Sequence, residues 1–172
     1  MKANAASASP GAGVLRWLAL LAALLAGACG FQPRGAASLP PAMAITYIAG
    51  YDTLTDDFRE ALESHGARVT QNRAEATAVL TVTENKAGTD VLSVDLSGKV
   101  LEYRLHQTIR FEVTAADGHM LVDPQSVTLS RAMKFNVNGV LGSEREGEAI
   151  RRALQRDVVN LAMLRITAAG KR

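Results

Sequence analysis

The chain has one cysteine, Cys29, so no intramolecular disulfide can form and the fold must rest on burial and hydrogen bonding. A charge excess is also missing. Lys2 and Arg16 supply the whole surplus of two positive charges, so beyond residue 28 basic and acidic side chains balance. That balance gives no support for a nucleic-acid partner, which calls for a strongly basic domain, and any anion site must come from local clustering. No apolar run reaches the roughly 20 residues needed to span a bilayer. Catalytic wiring is lacking as well: there is no Gly-x-Ser-x-Gly elbow, no His-Glu-x-x-His zinc helix and no phosphate-cradling glycine loop with a lysine. His65, His106 and His119 fall on an expected helix end, strand and turn, without the close spacing of zinc sites. No catalytic residue, metal or cofactor is expected.

What is present begins at the amino end. Lys2 and Arg16 form a positive region, Trp17 to Ala28 give about a dozen apolar residues, and Gly27 and Ala28 are small enough for cleavage before Cys29. Residues 1–28 therefore read as a lipoprotein signal peptide, although Ala26 stands where such signals more often carry leucine. Cys29 becomes the first mature residue, its thiol accepting a diacylglycerol thioether and its freed amine a further acyl chain. At about 0.8 kcal/mol per buried methylene, one myristoyl-length chain binds only reversibly, whereas two or three anchor permanently. The other reading is a secreted protein cut nearby, with a stray thiol that would be a liability in an oxidising compartment. Gly30, rather than aspartate, follows the cysteine, which points to the outer membrane.

Residues 29–42 carry Pro33, Pro40 and Pro41 among small residues and are expected to form an extended, lipid-anchored tether. One α+β domain is expected over 43–168, with a tail at 169–172. Ala44 to Ile48 reads as a strand. Leu54, Phe58, Ala61, Leu62 and His65 recur on one helical face, and Gly66 gives a stop. Short strands are expected at 68–70, 78–84 and 91–96. Alternation of Tyr103, Leu105, Ile109, Phe111 and Val113 with polar residues gives the clearest strand, and Val127 to Val137 alternates likewise, with Arg131 breaking the apolar row near a sheet edge. Ser143 and Glu146 have capping-box spacing and open a closing helix to about Thr167. The order predicts a two-layer sandwich, with two helices on one face of a mostly antiparallel four-stranded sheet and the other face polar.

On that polar face Arg104, His106 and Arg110 share one parity, with Lys134 on a later strand and Lys99 near a turn. If the strands form a meander, these cations converge on one face and suit a phosphate-bearing ligand. An ordinary solvated sheet face carries the same residue types. Arg145, Arg151, Arg152 and Arg156 on the closing helix admit the same two readings.

From Cys29-Gly30-Phe31-Gln32-Pro33-Arg34-Gly35 onward the chain resembles the lipopolysaccharide-assembly lipoprotein family, LptE, whose members open on cysteine, glycine, an aromatic, a variable pair and arginine. The likeness continues through the Leu39-Pro40 approach, the helix ending at Gly66, the Gly98 turn into Leu101-Glu102-Tyr103, and the helix from Ser143; Pro33, often leucine in the family, departs from it. The resemblance implies a two-helix, four-stranded sandwich inside a large outer-membrane β-barrel, LptD, acting non-catalytically as plug and assembly factor while lipopolysaccharide is delivered to the outer leaflet. It implies ligand contacts at Arg151 and near Lys99. The alternative is a freestanding lipoprotein facing the periplasm that binds another amphiphile or stabilises the envelope. A membrane-tethered hydrolase has no motif in its favour.

Overall fold

The computed structural model describes residues 39–136 and 139–170. The signal peptide, Cys29 and the tether up to residue 38 lie outside them, as do Val137 and Asn138. Among the described residues no helix is long and apolar enough to cross a membrane. Leu39 packs against the core, and Pro41–Met43 make a 3-10 turn that buries Met43 completely.

Strand β1 (Ile45–Ala49) leads into helix α1 (Asp52–Ser64), then β2 (Arg68–Thr70), β3 (Ala78–Val94), β4 (Val100–Ala115), β5 (Met120–Lys134) and helix α2 (Val140–Ala169). Leu54, Phe58 and Leu62, at i, i+4 and i+8, are fully buried and pack α1 on the sheet. Gly66 leaves that helix at a φ of 86°, where only glycine is unstrained, and His65 Nδ1 meets the Ala61 carbonyl at 2.7 Å.

The sheet departs from the sequence expectation. It has five strands, not four, and is mixed, in the order β2-β1-β3-β4-β5. β1 pairs in parallel with both β2 and β3, while β3, β4 and β5 are antiparallel. The cause is α1. A helix between two strands returns the chain to the end from which it started, so β1 and β2 can only run side by side in parallel. The segments at 78–84 and 91–94 are parts of β3, a strand of 17 residues whose polar middle, Asn85 to Asp90, pairs throughout with β4, while Asp95 and Leu96 of the expected strand 91–96 fall in the turn that follows.

Because β1 pairs with β3 only over Ala78 to Thr81, the domain has two halves. The proximal half carries five strands and both helices. Beyond Thr81, β3, β4 and β5 continue alone as a three-stranded projection covered by the amino-terminal part of α2. Gly50 marks the boundary: its φ is 114°, and a Cβ there would stand 2.2 Å from the Val82 carbonyl oxygen, beside the β3 bulge between Val82 and Glu84.

Two apolar clusters match these halves. The larger holds α1, Phe111, Val113 and the α2 residues Val158 to Ile166; the smaller holds Leu105, Met133 and Leu154, with Tyr103, Leu129 and Ile150 against it. Polar contacts lie between the two clusters. Gln107 Nε2 donates to Asn85 Oδ1, Asn85 Nδ2 donates to Thr53 Oγ1 at 3.0 Å, and Gln155 Nε2 donates to the Thr53 carbonyl and to Asp57. Arg131 lies on the edge strand β5 and reaches Asp157 Oδ2 at 2.5 Å. The closing helix starts three residues before Ser143 with Gly139 as N-cap, so the expected capping box does not form. Ser143 is instead buried, its Oγ accepting from the Asn136 backbone N–H at 3.2 Å.

Candidate functional site

The free end of the projection is where unsatisfied chemistry collects. Its β3–β4 turn is built on Asp95, whose Oδ1 accepts from Ser97 N at 2.8 Å, Ser97 Oγ at 2.6 Å and Lys99 N at 2.9 Å. These bonds, the Ser97 hydroxyl foremost, hold the Asp95 carboxyl below its ordinary value. Gly98 takes a φ of 81° to close the turn. Val91, Val94, Leu96 and Leu101 around it are exposed, as is Leu141 at the start of α2. A core can use only one face of a strand, and Val91, Leu92, Val94 and Leu96 are apolar on both parities past the last residues that α2 covers.

Lys99 from this turn and Lys134 from the end of β5 line one cavity of about 670 Å³, with Val100, Leu101 and Phe135 as its apolar wall. Glu102, directly across from Lys134, accepts from Ser93 Oγ at 2.8 Å. On the other side of Phe135 lies a second cleft of about 480 Å³, floored by Tyr103, Leu105 and Met133 and bounded by the first turns of α2. Tyr103 and Phe135 meet edge to face at 5.5 Å. Arg151 lines this second cleft together with Glu144 and Glu148. Gly147 lies beside it: a Cβ there would be in ordinary contact with Arg151 Nη1 at 3.6 Å and tight against Met133 Sδ at 3.3 Å.

The structure thus brings Lys99 and Lys134 to one cavity and Arg151 to its neighbour, and leaves Arg104 and Arg110 outside both. Register does put Arg104, His106, Arg110 and Lys134 on the outward face, but β3 supplies acids opposite them. Arg110 Nε lies 3.9 Å from Glu84 Oε2, Lys86 Nζ lies 2.8 Å from Glu84 Oε1, and His106 Nδ1 lies 3.2 Å from Asp90. The Glu84 carboxyl is held below its usual range, first by its hydrogen bond with Lys86. Among the described residues no ion pair engages Lys99, Lys134, Arg104 or Arg151. Sequence reasoning missed Phe135 and the exposed apolar tip. The signal was the doubly apolar stretch 91–96, which reads as a strand until its missing cover is known.

Comparison with solved structures gives the class first: the domain has the fold of small bacterial lipoproteins. Uncharacterized lipoprotein B from Nitrosomonas europaea aligns with a TM-score of 0.69 at 24% identity, over 81% of this chain and 91% of that one. Rare lipoprotein B from Shewanella oneidensis aligns at 0.61 and 20%, over 74% and 96%, and a minor lipoprotein from Acinetobacter baumannii at 0.61 and 19%, over 73% and 92%. No curated protein sequence matches the chain. The family model LptE, described as lipopolysaccharide-assembly, matches residues 41–166, and the chain belongs to that family. It is a protein of lipopolysaccharide assembly.

Proposed function

We propose that this protein is held at the outer membrane by lipid on Cys29, occupies the lumen of an LptD-type β-barrel, and binds lipopolysaccharide non-catalytically during its delivery to the outer leaflet. The observation that carries the ligand part is the distal end, where Lys99 and Lys134, in no ion pair among the described residues, stand beside exposed apolar side chains, the two chemistries of a phosphorylated lipid. Arg151 adds a cation in the adjoining cleft, whereas Arg104 and Arg110 on the outward face stand opposite Asp90 and Glu84 of β3.

Anchoring supports the same reading. From Cys29 to Leu39 the chain spans at most about 36 Å, which keeps the domain next to the membrane that holds its lipid. Cations that pair with lipid A or core phosphates loosen lipid aggregates by replacing contacts between lipids with contacts to the protein. Affinity purification of the mature lipoprotein from solubilised outer membranes tests the partner: a stoichiometric large β-barrel is the expected result. Recovery of the protein alone favours the freestanding periplasm-facing lipoprotein instead.

A further inference from the structure

We propose that the outer edge of β5, from Thr128 to Lys134, is a pairing surface on which a second copy of this chain adds its own β5 in antiparallel register. β5 ends the strand order on one side of the sheet. Phe135 N–H donates to the Leu101 carbonyl at 2.9 Å, and the register on β4 runs unbroken from Lys134 to Gln125. In an antiparallel ladder the bonding direction alternates along the strand. Val127, Leu129, Arg131 and Met133 therefore turn their backbone groups to β4, and Ser126, Thr128, Ser130, Ala132 and Lys134 turn theirs outward. The Ser126 carbonyl agrees with this, since it accepts from Arg165 Nη1 at 2.7 Å.

An open edge is a template for another strand unless something blocks it. The other open edge is blocked: past Thr81, where its pairing with β1 ends, β3 carries Glu84, Lys86 and Asp90 and has bulges between Val82 and Glu84 and between Val91 and Ser93. On β5 the guards, Pro124 and Arg165, reach only as far as Ser126. Beyond it Thr128, Ser130 and Ala132 are small, uncharged and exposed, and no bulge interrupts them. A row of backbone donors and acceptors fits an extended polypeptide, and here the strand is its own complement. A two-fold axis through Ser130 sets Ser130 opposite itself, Thr128 opposite Ala132 and Ser126 opposite Lys134. Charge permits the match. Arg131, the one charged side chain between Ser126 and Lys134, meets Asp157 of its own chain at 2.5 Å and falls opposite Leu129 of the second copy. Two copies thus join with small side chains matched and no like charges opposed. With the β3 edge blocked, pairing closes at two copies instead of growing into a fibre.

The test uses the full mature lipoprotein in detergent, with the unaltered chain and its one cysteine, Cys29, as control. Ser130→Cys is expected to give a disulfide-linked dimer on mild oxidation, because opposed residues of a hydrogen-bonded antiparallel pair lie about 5.5 Å apart at Cα, within disulfide reach. Thr89→Cys, exposed on β3, is expected not to cross-link, and equal cross-linking there refutes the register. Ser130→Lys and Ser130→Glu each oppose like charges on the two-fold axis and are expected to weaken dimerisation about tenfold in sedimentation velocity. Mixing these two variants, once thermal melts show that both fold, is expected to restore the dimer. Two lipoproteins sharing a micelle by chance would ignore the charge at position 130, so dimers equally abundant in every variant refute the pairing. An unaltered protein that stays monomeric at all concentrations, with no cross-link through Ser130→Cys, refutes it as well. If Ser130→Lys leaves the isolated protein unchanged but prevents co-purification of another polypeptide, the edge belongs to that polypeptide's strand and the second-copy assignment is overturned.

Discussion

Leu154→Ala and Ile166→Val, two substitutions on the same helix, should separate the two halves of the domain. Leu154 is 2% exposed and packs with Leu105 and Met133 in the small distal cluster; Ile166 is fully buried in the large proximal one. Truncating Leu154 removes a buried side chain and leaves a cavity, a loss of about 3 kcal/mol, so the distal strands should open about a hundredfold more often. Ile166→Val removes one methylene and costs about 1 kcal/mol. The polar contacts through Gln107, Asn85, Thr53 and Gln155 lie between the clusters, which share Leu129 at their border, so distal opening is expected to leave the proximal core packed. Native-state hydrogen exchange reads the difference. Leu154→Ala is expected to speed exchange in both halves, because global unfolding includes the distal half. Ile166→Val is expected to speed exchange only at proximal amides such as those of Phe111 and Val113, leaving Leu105 and Met133 unchanged. If Ile166→Val accelerates Leu105 as much as Phe111, the domain is one cooperative unit and the reasoning fails.

Two further outcomes follow from the backbone and from the turn. Gly50→Ala combines a positive φ with a Cβ 2.2 Å from the Val82 carbonyl oxygen and should cost about 3 kcal/mol or more, whereas Gly98→Ala, with a φ of 81° but open space around it, should cost about 1 kcal/mol. Equal losses in urea denaturation would contradict that difference. Because the folded Asp95 carboxyl is held below its ordinary value of 3.8, its contribution to the turn is complete above that value and is lost as pH falls through the lower folded value. NMR of the Ser97 and Lys99 amides should therefore show the turn loosening below pH 3.8, and Asp95→Asn should abolish that acid transition; an unchanged profile in the variant refutes the assignment.

How much of this was legible in the sequence depends on which partner each residue needed. β4 was plain because its apolar residues from Tyr103 to Val113 alternate over one buried face, and α1 because Leu54, Phe58 and Leu62 repeat at helical spacing. The middle of β3 was not. Asn85 to Asp90 lacks β-branched apolar residues and contains Gly88, whose missing side chain leaves room for the His106 ring: a Cβ there would lie 2.3 Å from Nε2. Its strand character comes from pairing with β4, a long-range contact that local preference does not report. The misreading carried over to the site. With Asp90 outside the expected strands and Glu84 at the end of one whose register with β4 was unknown, Arg104, His106 and Arg110 looked like an open cationic face; in the register of β3 on β4, those acids stand opposite them and pair with Arg110 and His106. Lys99 and Lys134 make no ion pair among the described residues, but Asp95 and Glu102 line the same cavity, with Glu102 directly across from Lys134. The overreach of the long hairpin leaves Leu96 and Leu101 without a core to enter among the described residues. Apolar exposure at this end is thus a consequence of a single architectural fact, the extension of three strands beyond β1.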